Sequence, residues 1–130
     1  NKMGNVPSGI KVNHEIVQKA INKIDGEYLL ISVLVSSEQE CLIKTTIKAE
    51  DEEEIINGLL KRNKKQKIII YGRNCNDEKM IEKYKQLSSY GFKSVVIYIG
   101  GLFEWLCLQD IYGKDNFSTD GNEIDLLKYK

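Results

Sequence analysis

Three continuous apolar segments constrain the fold of this chain more than any other feature. They cover residues 28–35, 67–71 and 94–99, and each is rich in branched aliphatic side chains. Short segments without polar alternation are typical of strands that are covered on both faces, as in a parallel sheet. We therefore expect these three segments to form the centre of one sheet.

Segments with helical periodicity separate these strands. They are residues 14–24 after the N-cap Asn13, residues 51–62, residues 76–90 and a short stretch from Leu102. Residues 41–48 alternate in character and are predicted as a short strand. Strands that alternate with helices predict a single three-layer α/β domain, with a mainly parallel central sheet and helices on both faces.

The length and composition fit one folded domain. The chain has 130 residues, of which 42% are hydrophobic and 29% are charged, and it contains a single proline. This balance is ordinary for a globular protein and argues against long linkers. From the patterning we expect a flexible lead-in at residues 1–11, one domain at residues 12–113 and a polar tail at residues 114–130.

Charges and cysteines narrow the classes of partner. The 19 basic and 19 acidic side chains balance, so we expect no attraction to nucleic acid. The cysteines, Cys41, Cys75 and Cys107, lie far apart, and only His14 could supplement them as a metal ligand. This spacing supports neither a metal site nor a disulfide framework, and it favours a reducing, cytoplasmic setting without a cofactor.

The N-terminal residues contain a pattern for lipid attachment. Met3 is followed by Gly4 and, four residues further on, by Ser8, as in N-myristoylation signals. Acylation needs a free amino group on Gly4, so the pattern works only if Met3 is the biological start and Asn1 and Lys2 are not native. The alternative is a chance match. A single acyl chain would give only weak peripheral membrane association.

The loop from Gly72 to Asn76 is the candidate functional site. It follows the central strand at residues 67–71 and precedes the helix that we expect from Asn76 onward. In open parallel sheets, ligands bind beyond the carboxyl ends of the strands. Its position therefore makes this loop the place where a ligand or partner is expected.

Two stretches of the chain carry a family resemblance. They are residues 68–76, Ile-Ile-Ile-Tyr-Gly-Arg-Asn-Cys-Asn, and residues 95–105, Val-Val-Ile-Tyr-Ile-Gly-Gly-Leu-Phe-Glu-Trp. Together they resemble the rhodanese homology domain, over about residues 12–112. The resemblance implies the rhodanese-like fold and sulfur transfer through a persulfide. Two other family marks, Asp-x-Arg and His-x-Pro-Gly-Ala, are replaced at residues 32–34 and 41–45.

The loop departs from the pattern of active family members. The resemblance places the catalytic cysteine of the family at Gly72 and matches the arginine that follows it with Arg73. Asn74 and Cys75 stand where small residues are common in the family, and Asp77 stands where a second arginine is frequent. The usual nucleophile is therefore expected to be missing from its position.

Formal charge in the loop also opposes anion chemistry. Arg73 is a cation, but Asp77 and Glu78 are expected in the first turn of the next helix, where they would repel a thiolate and an anionic sulfur donor. The sequence argues against a phosphatase-like site, because the sixth position after Cys75 holds Ile81 rather than an arginine.

We interpret the chain as a rhodanese-like domain that is catalytically degenerate and binds a protein partner or a small sulfur-containing anion. The expected binding residues are Gly72, Arg73, Asn74, Asn76 and Asp77. The enzymatic alternative is a sulfurtransferase of the thiosulfate type that carries a persulfide on Cys75, with Arg73 and loop amides as its anion site. A third alternative is a purely structural scaffolding domain.

Overall fold

The computed structural model of the protein describes residues 9–24 and 26–130. This part of the chain contains six strands and four α-helices. In chain order they are β1 (Lys11–Val12), α1 (His14–Ile21), β2 (Tyr28–Ser32), β3 (Leu42–Ile43), α2 (Ala49–Arg62), β4 (Lys67–Tyr71), α3 (Lys79–Ser89), β5 (Val95–Tyr98), α4 (Gly101–Tyr112) and β6 (Thr119–Asp120). Asn13 caps α1, because its side chain accepts a hydrogen bond from the Glu15 amide at 2.9 Å.

The central sheet is parallel, with the strand order β1-β5-β4-β2. Strand β4 lies between β5 and β2, and α3 is the crossover that joins β4 to β5. Strands β3 and β6 form a separate antiparallel pair. The predicted parallel α/β architecture is confirmed, and β2, β4 and β5 all end at the same edge of the sheet.

The strands send alternate side chains into two apolar clusters, one on each face of the sheet. Helices α1 and α4 cover one face, and α2 and α3 cover the other. Fully buried members on the α1 and α4 face include Leu30, Ile69, Tyr71, Tyr98 and Trp105. Fully buried members on the opposite face include Ile31, Ile68, Ile70, Met80 and Ile97. The predicted three-layer arrangement is therefore confirmed.

The sequence-based prediction fails most clearly at residues 41–48. Only Leu42 and Ile43 pair as a strand there. Thr45 has a φ of 71°, and the Thr46 amide donates back to the Ile43 carbonyl at 3.1 Å. The backbone therefore turns instead of remaining extended, and the prediction of one strand across this segment was wrong.

The bounds of one strand and two helices also differ from the predicted bounds. The strand predicted at residues 28–35 ends at Ser32, because the Ser32 hydroxyl accepts a hydrogen bond from the Leu34 amide at 3.1 Å. Helix α1 ends at Ile21, three residues earlier than its apolar pattern predicts. Helix α4 extends over 12 residues, longer than the short helix expected from Leu102.

A buried hydrogen-bond network connects β4 to the turn after β3. Tyr71 is fully buried, and its hydroxyl accepts a hydrogen bond from the Ile43 amide at 3.1 Å. The same hydroxyl shares a hydrogen bond of 2.7 Å with Thr46 Oγ1. Burial raises the pKa of Tyr71, so the phenol stays neutral and available for this network.

Replacing Tyr71 with phenylalanine is expected to lower the free energy of unfolding by about 1–3 kcal/mol, because the Ile43 amide would remain buried without its partner. Urea unfolding measures this loss. Tyr90→Phe is the matched control, since Tyr90 is 42% exposed and the same change there should alter stability by less than about 0.5 kcal/mol. Equal unfolding midpoints for Tyr71→Phe and the wild type would contradict the assigned role of the network.

The segment predicted as a polar tail is structured, whereas the predicted N-terminal signal lies outside the described residues. Residues 114–130, expected as a polar tail, include β6 and the buried side chains of Phe117, Thr119 and Tyr129. Gly4 and the lipidation pattern lie outside the described residues. Within residues 9–24 and 26–130, no helix combines the length and the apolar character that crossing a membrane requires.

Candidate functional site

The β4–α3 loop, residues 72–78, lies where the sequence predicted the site, beyond the carboxyl end of a central strand. The first turn of α4 packs directly against it. The Leu102 amide donates to the Gly72 carbonyl at 2.9 Å, and the Phe103 amide donates to the Arg73 carbonyl at 2.8 Å. This close approach needs Gly101, which has a φ of 69° and lies against the loop backbone.

Two backbone amides hold the Asp77 carboxylate in the loop. Its Oδ2 accepts a hydrogen bond from the Arg73 amide at 3.0 Å, and its Oδ1 accepts one from the Lys79 amide at 3.1 Å. A Cβ atom placed on Gly72 would clash with this carboxylate and would lie 2.9 Å from Asp77 Cγ and 3.0 Å from Val33 Cγ2. Asp77 therefore fills the space that a side chain at position 72 would need.

Asp77 lies in the loop before α3, because α3 begins later in the chain than we predicted. The helix starts at Lys79, so Asp77 precedes it and does not lie in its first turn. Its carboxylate accepts the amide of the residue two positions ahead, an arrangement that aspartate commonly makes at turns and helix starts. The expectation that Asp77 lies in the first turn of the helix was wrong.

Asn74 satisfies further backbone groups of the loop. Its Oδ1 accepts a hydrogen bond from the Asn76 amide at 2.8 Å, and its carbonyl accepts one from the Asp77 amide at 3.1 Å. Three loop amides, those of Arg73, Asn76 and Asp77, are thus directed at groups of the loop itself. These donors do not converge on an external ligand.

The three cysteines occupy different environments. Cys75 is exposed at the loop surface, with its Sγ 3.9 Å from Asn76 Oδ1, a hydrogen-bond acceptor that gives a thiolate no support. Burial raises the pKa of Cys41, and burial together with Asp110 and Glu104 raises the pKa of Cys107. The thiols of Cys41 and Cys107 are therefore protonated at neutral pH.

The C-terminal strap, residues 122–130, contacts the loop. Arg73 Nη2 donates to the Lys128 carbonyl at 2.8 Å, and Asn74 Nδ2 donates to the Tyr129 carbonyl at 2.8 Å. The Arg73 guanidinium also lies 5.4 Å from the centre of the Tyr129 ring and pairs with the Glu38 carboxylate at 2.6 Å. The cation of the loop is thus engaged by the protein itself.

A cleft of about 480 Å³ lies on the outer side of the loop. Its lining contains two cations, Arg73 and Lys79, and three carboxylates, Asp77, Glu78 and Glu82. An anion in this cleft would meet more negative than positive charge. Among the described residues, no group of three or more His, Cys, Asp or Glu side chains could hold a metal ion.

The structure brings all the predicted loop residues together, but it gives them unequal roles. Arg73, Asn74 and Asp77 make specific contacts, whereas Cys75 and Asn76 are exposed. Sequence reasoning missed three contributors to the site, Glu38, Lys128 and Tyr129. The sequence signal for the contribution of Tyr129 was the group of apolar residues Ile124, Leu126 and Leu127 in an otherwise polar segment.

Comparison with known proteins identifies the family. The sequence model of the rhodanese-like domain matches residues 16–107. The rhodanese-like domain of the Alr3790 protein from Anabaena sp. is 20% identical, over 87% of this chain and 80% of that domain, with a TM-score of 0.62. A protein from Lactobacillus plantarum is 19% identical, over 77% of this chain and 84% of its own, with a TM-score of 0.62.

A third solved structure, the BH2092 protein from Bacillus halodurans, is 22% identical over 85% of this chain and 76% of its own, with a TM-score of 0.57. At these identities the likeness between structures supports the fold and carries no activity with it. No curated protein sequence matches the chain. The family model covers most of the chain, and the solved structures share its architecture, so this chain belongs to the rhodanese-like domain family.

Proposed function

We propose that this rhodanese-like domain is catalytically degenerate and acts as a binding module through the surface of its β4–α3 loop. One observation carries the proposal: the Asp77 carboxylate fills the space beside Gly72, where the resemblance places the family's nucleophile. The loop amides and helix start that would hold a persulfide anion hold an aspartate instead.

Electrostatics supports the same conclusion. A persulfide or thiolate beside Gly72 would lie close to a carboxylate that is already hydrogen-bonded in place. Two negative charges at such a distance repel, which raises the pKa of a thiol and weakens the binding of an anionic donor. Arg73 does not offset this repulsion, because its guanidinium is bound to Glu38 and to the Lys128 carbonyl.

The exposure of Cys75 favours one alternative, a sulfurtransferase that carries the persulfide on this residue. Its thiol is accessible, but the hydrogen-bond partner of its sulfur is Asn76 Oδ1, which accepts rather than donates. Activation of a cysteine requires donors or cations beside the sulfur. We therefore rank this alternative second.

A sulfurtransferase assay on the wild-type protein tests the proposal. With thiosulfate and cyanide, thiocyanate should form no faster than in the protein-free control, and intact mass after thiosulfate should show no added sulfur atom. Cys75→Ser is the matched variant, and it should behave like the wild type. Turnover that disappears in Cys75→Ser would overturn the degenerate-module proposal and establish the sulfurtransferase alternative.

A further inference from the structure

We propose that the C-terminal strap is a displaceable ligand of the β4–α3 loop, and that the same surface binds a peptide segment of a partner protein with an aromatic side chain. The strap shows what such a peptide would contact. This inference rests on the proposed binding function and names the class of partner. It concerns the loop residues Arg73 and Asn74 and the position now held by Tyr129.

The loop recognises the strap through consecutive main-chain carbonyls. Arg73 donates to the carbonyl of Lys128, and Asn74 donates to the carbonyl of Tyr129, both at 2.8 Å. Every peptide offers such carbonyls, so these two contacts fix position and direction without selecting a sequence. Selectivity must come from the side chain that enters the protein beside them.

That side chain is the aromatic ring of Tyr129. The ring is fully buried in the apolar cluster on the α1 and α4 face. The Arg73 guanidinium lies over it. A buried aromatic anchor beside main-chain hydrogen bonds is the arrangement by which proteins bind short peptides.

The Tyr129 hydroxyl explains why the strap can be exchanged. This buried oxygen has no hydrogen-bond partner among the described residues. A buried polar group without a partner is unfavourable, and the hydroxyl regains water when the strap opens. The closed state is therefore less stable than it would be with phenylalanine, and a competing aromatic residue without a hydroxyl would fit better.

Apart from Tyr129, the strap makes few contacts with the rest of the protein. Ile124 is 96% exposed and Leu127 is 64% exposed, whereas Leu126 is half-buried against the apolar cluster and Asn122 Oδ1 accepts a hydrogen bond from Lys114 Nζ. The backbone–backbone hydrogen bonds found for the strap, from Lys128 to Asp125 and from Lys130 to Leu127, lie within the strap itself. The Tyr129 ring, the Leu126 side chain and the two carbonyl contacts thus provide most of its attachment, and none of them is a hydrogen bond of the parallel sheet.

The chemistry of the site favours a peptide over a small anion. The outer cleft carries more carboxylates than cations, and the Arg73 guanidinium is already paired with Glu38. A peptide backbone is neutral and needs donors rather than net positive charge. Arg73 and Asn74 supply such donors, one to each of two neighbouring carbonyls.

Peptide exchange on the full chain tests the inference. The probe is a fluorescent, N-acetylated peptide with the sequence of residues 125–130, Asp-Leu-Leu-Lys-Tyr-Lys, together with copies that carry phenylalanine or alanine in place of the tyrosine. The hosts are the wild type, Tyr129→Phe and Tyr129→Ala. Fluorescence polarisation measures binding, and circular dichroism establishes that each host is folded.

We expect Tyr129→Ala to bind the tyrosine peptide at least about tenfold more tightly than the wild type does, because its own strap no longer competes. Tyr129→Phe should bind about fivefold more weakly than the wild type, since its strap closes more firmly. The phenylalanine peptide should bind about fivefold more tightly than the tyrosine peptide, and the alanine peptide should not bind.

A further variant tests the carbonyl contact. Asn74→Asp keeps the oxygen that accepts from the Asn76 amide but loses the donor to the strap. In the Tyr129→Ala background it should weaken peptide binding about fivefold. Equal binding with and without this donor would overturn the assigned recognition mode.

Hydrogen exchange on the wild type provides a test that needs no substitution. Strap amides should exchange through local opening while β4 amides stay protected. Strap protection equal to that of β4, or no binding of either aromatic peptide by folded Tyr129→Ala at millimolar concentration, would overturn the inference. Neither result would alter the thiocyanate assay, so failure here is distinguishable from failure of the proposed function.

Discussion

Replacing Gly101 with alanine is expected to lower the free energy of unfolding by about 2–4 kcal/mol. A Cβ atom at this position would lie 2.8 Å from the Gly72 carbonyl oxygen, 2.9 Å from the Asn74 nitrogen and 3.0 Å from the Arg73 carbonyl carbon. All three are backbone atoms, so the loop itself would have to move. The left-handed φ of 69° adds about 1–2 kcal/mol for a residue with a side chain. Urea unfolding measures the loss.

Gly26→Ala is the control for this prediction. Gly26 also has a positive φ, 93°, but a Cβ atom there meets nothing within 4 Å. Its alanine variant should therefore lose only about 1–2 kcal/mol, the conformational cost alone. Equal losses for the two variants would contradict the conclusion that close packing of α4 against the loop matters.

The parallel sheet could be predicted from sequence because its signals are local. The branched apolar segments around Leu30, Ile69 and Ile97 have no polar alternation, and each proved to be a strand covered on both faces. Short pairings were not predictable in the same way. The two-residue strand at Leu42–Ile43 depends on β6, a partner far away in sequence, and on the turn at Thr45.

The position of the candidate loop in the fold was predictable, but its internal geometry was not. A loop after a central strand is a general feature of parallel sheets, so Gly72–Asn76 could be located from strand order alone. The sequence also indicated that Asp77 opposes an anion. It could not indicate that the Asp77 side chain turns back into the loop, or that Tyr129 packs beneath Arg73, because both depend on tertiary contacts.

Restoring a cysteine at position 72 should yield activity only when Asp77 is also removed. In Gly72→Cys, the new Cβ atom clashes with the Asp77 carboxylate, and the thiolate is repelled by its charge. In Gly72→Cys/Asp77→Ala, the space and the Arg73 and Lys79 amides become available. We expect the double variant to form thiocyanate from thiosulfate and cyanide at least about tenfold faster than the single variant, equal to about 1.4 kcal/mol in activation free energy.

Three matched variants separate the causes of this effect. Gly72→Cys/Asp77→Asn removes the charge and keeps the volume, so its rate should remain below that of the alanine double variant. Gly72→Cys/Glu78→Gln neutralises the neighbouring exposed acid and should stay at the level of Gly72→Cys. Adding Cys75→Ser to the active double variant should leave its rate unchanged, because the thiol at position 72 carries the sulfur. Thermal unfolding of each variant establishes that it is folded under assay conditions.

The ratio of the thiocyanate rates of Gly72→Cys/Asp77→Ala and Gly72→Cys is the most direct test of the central claim, that the Asp77 carboxylate occupies the anion position of the loop. The structure predicts a ratio of at least about ten, with Gly72→Cys near the protein-free background. Equal rates for the two folded variants would contradict the claim.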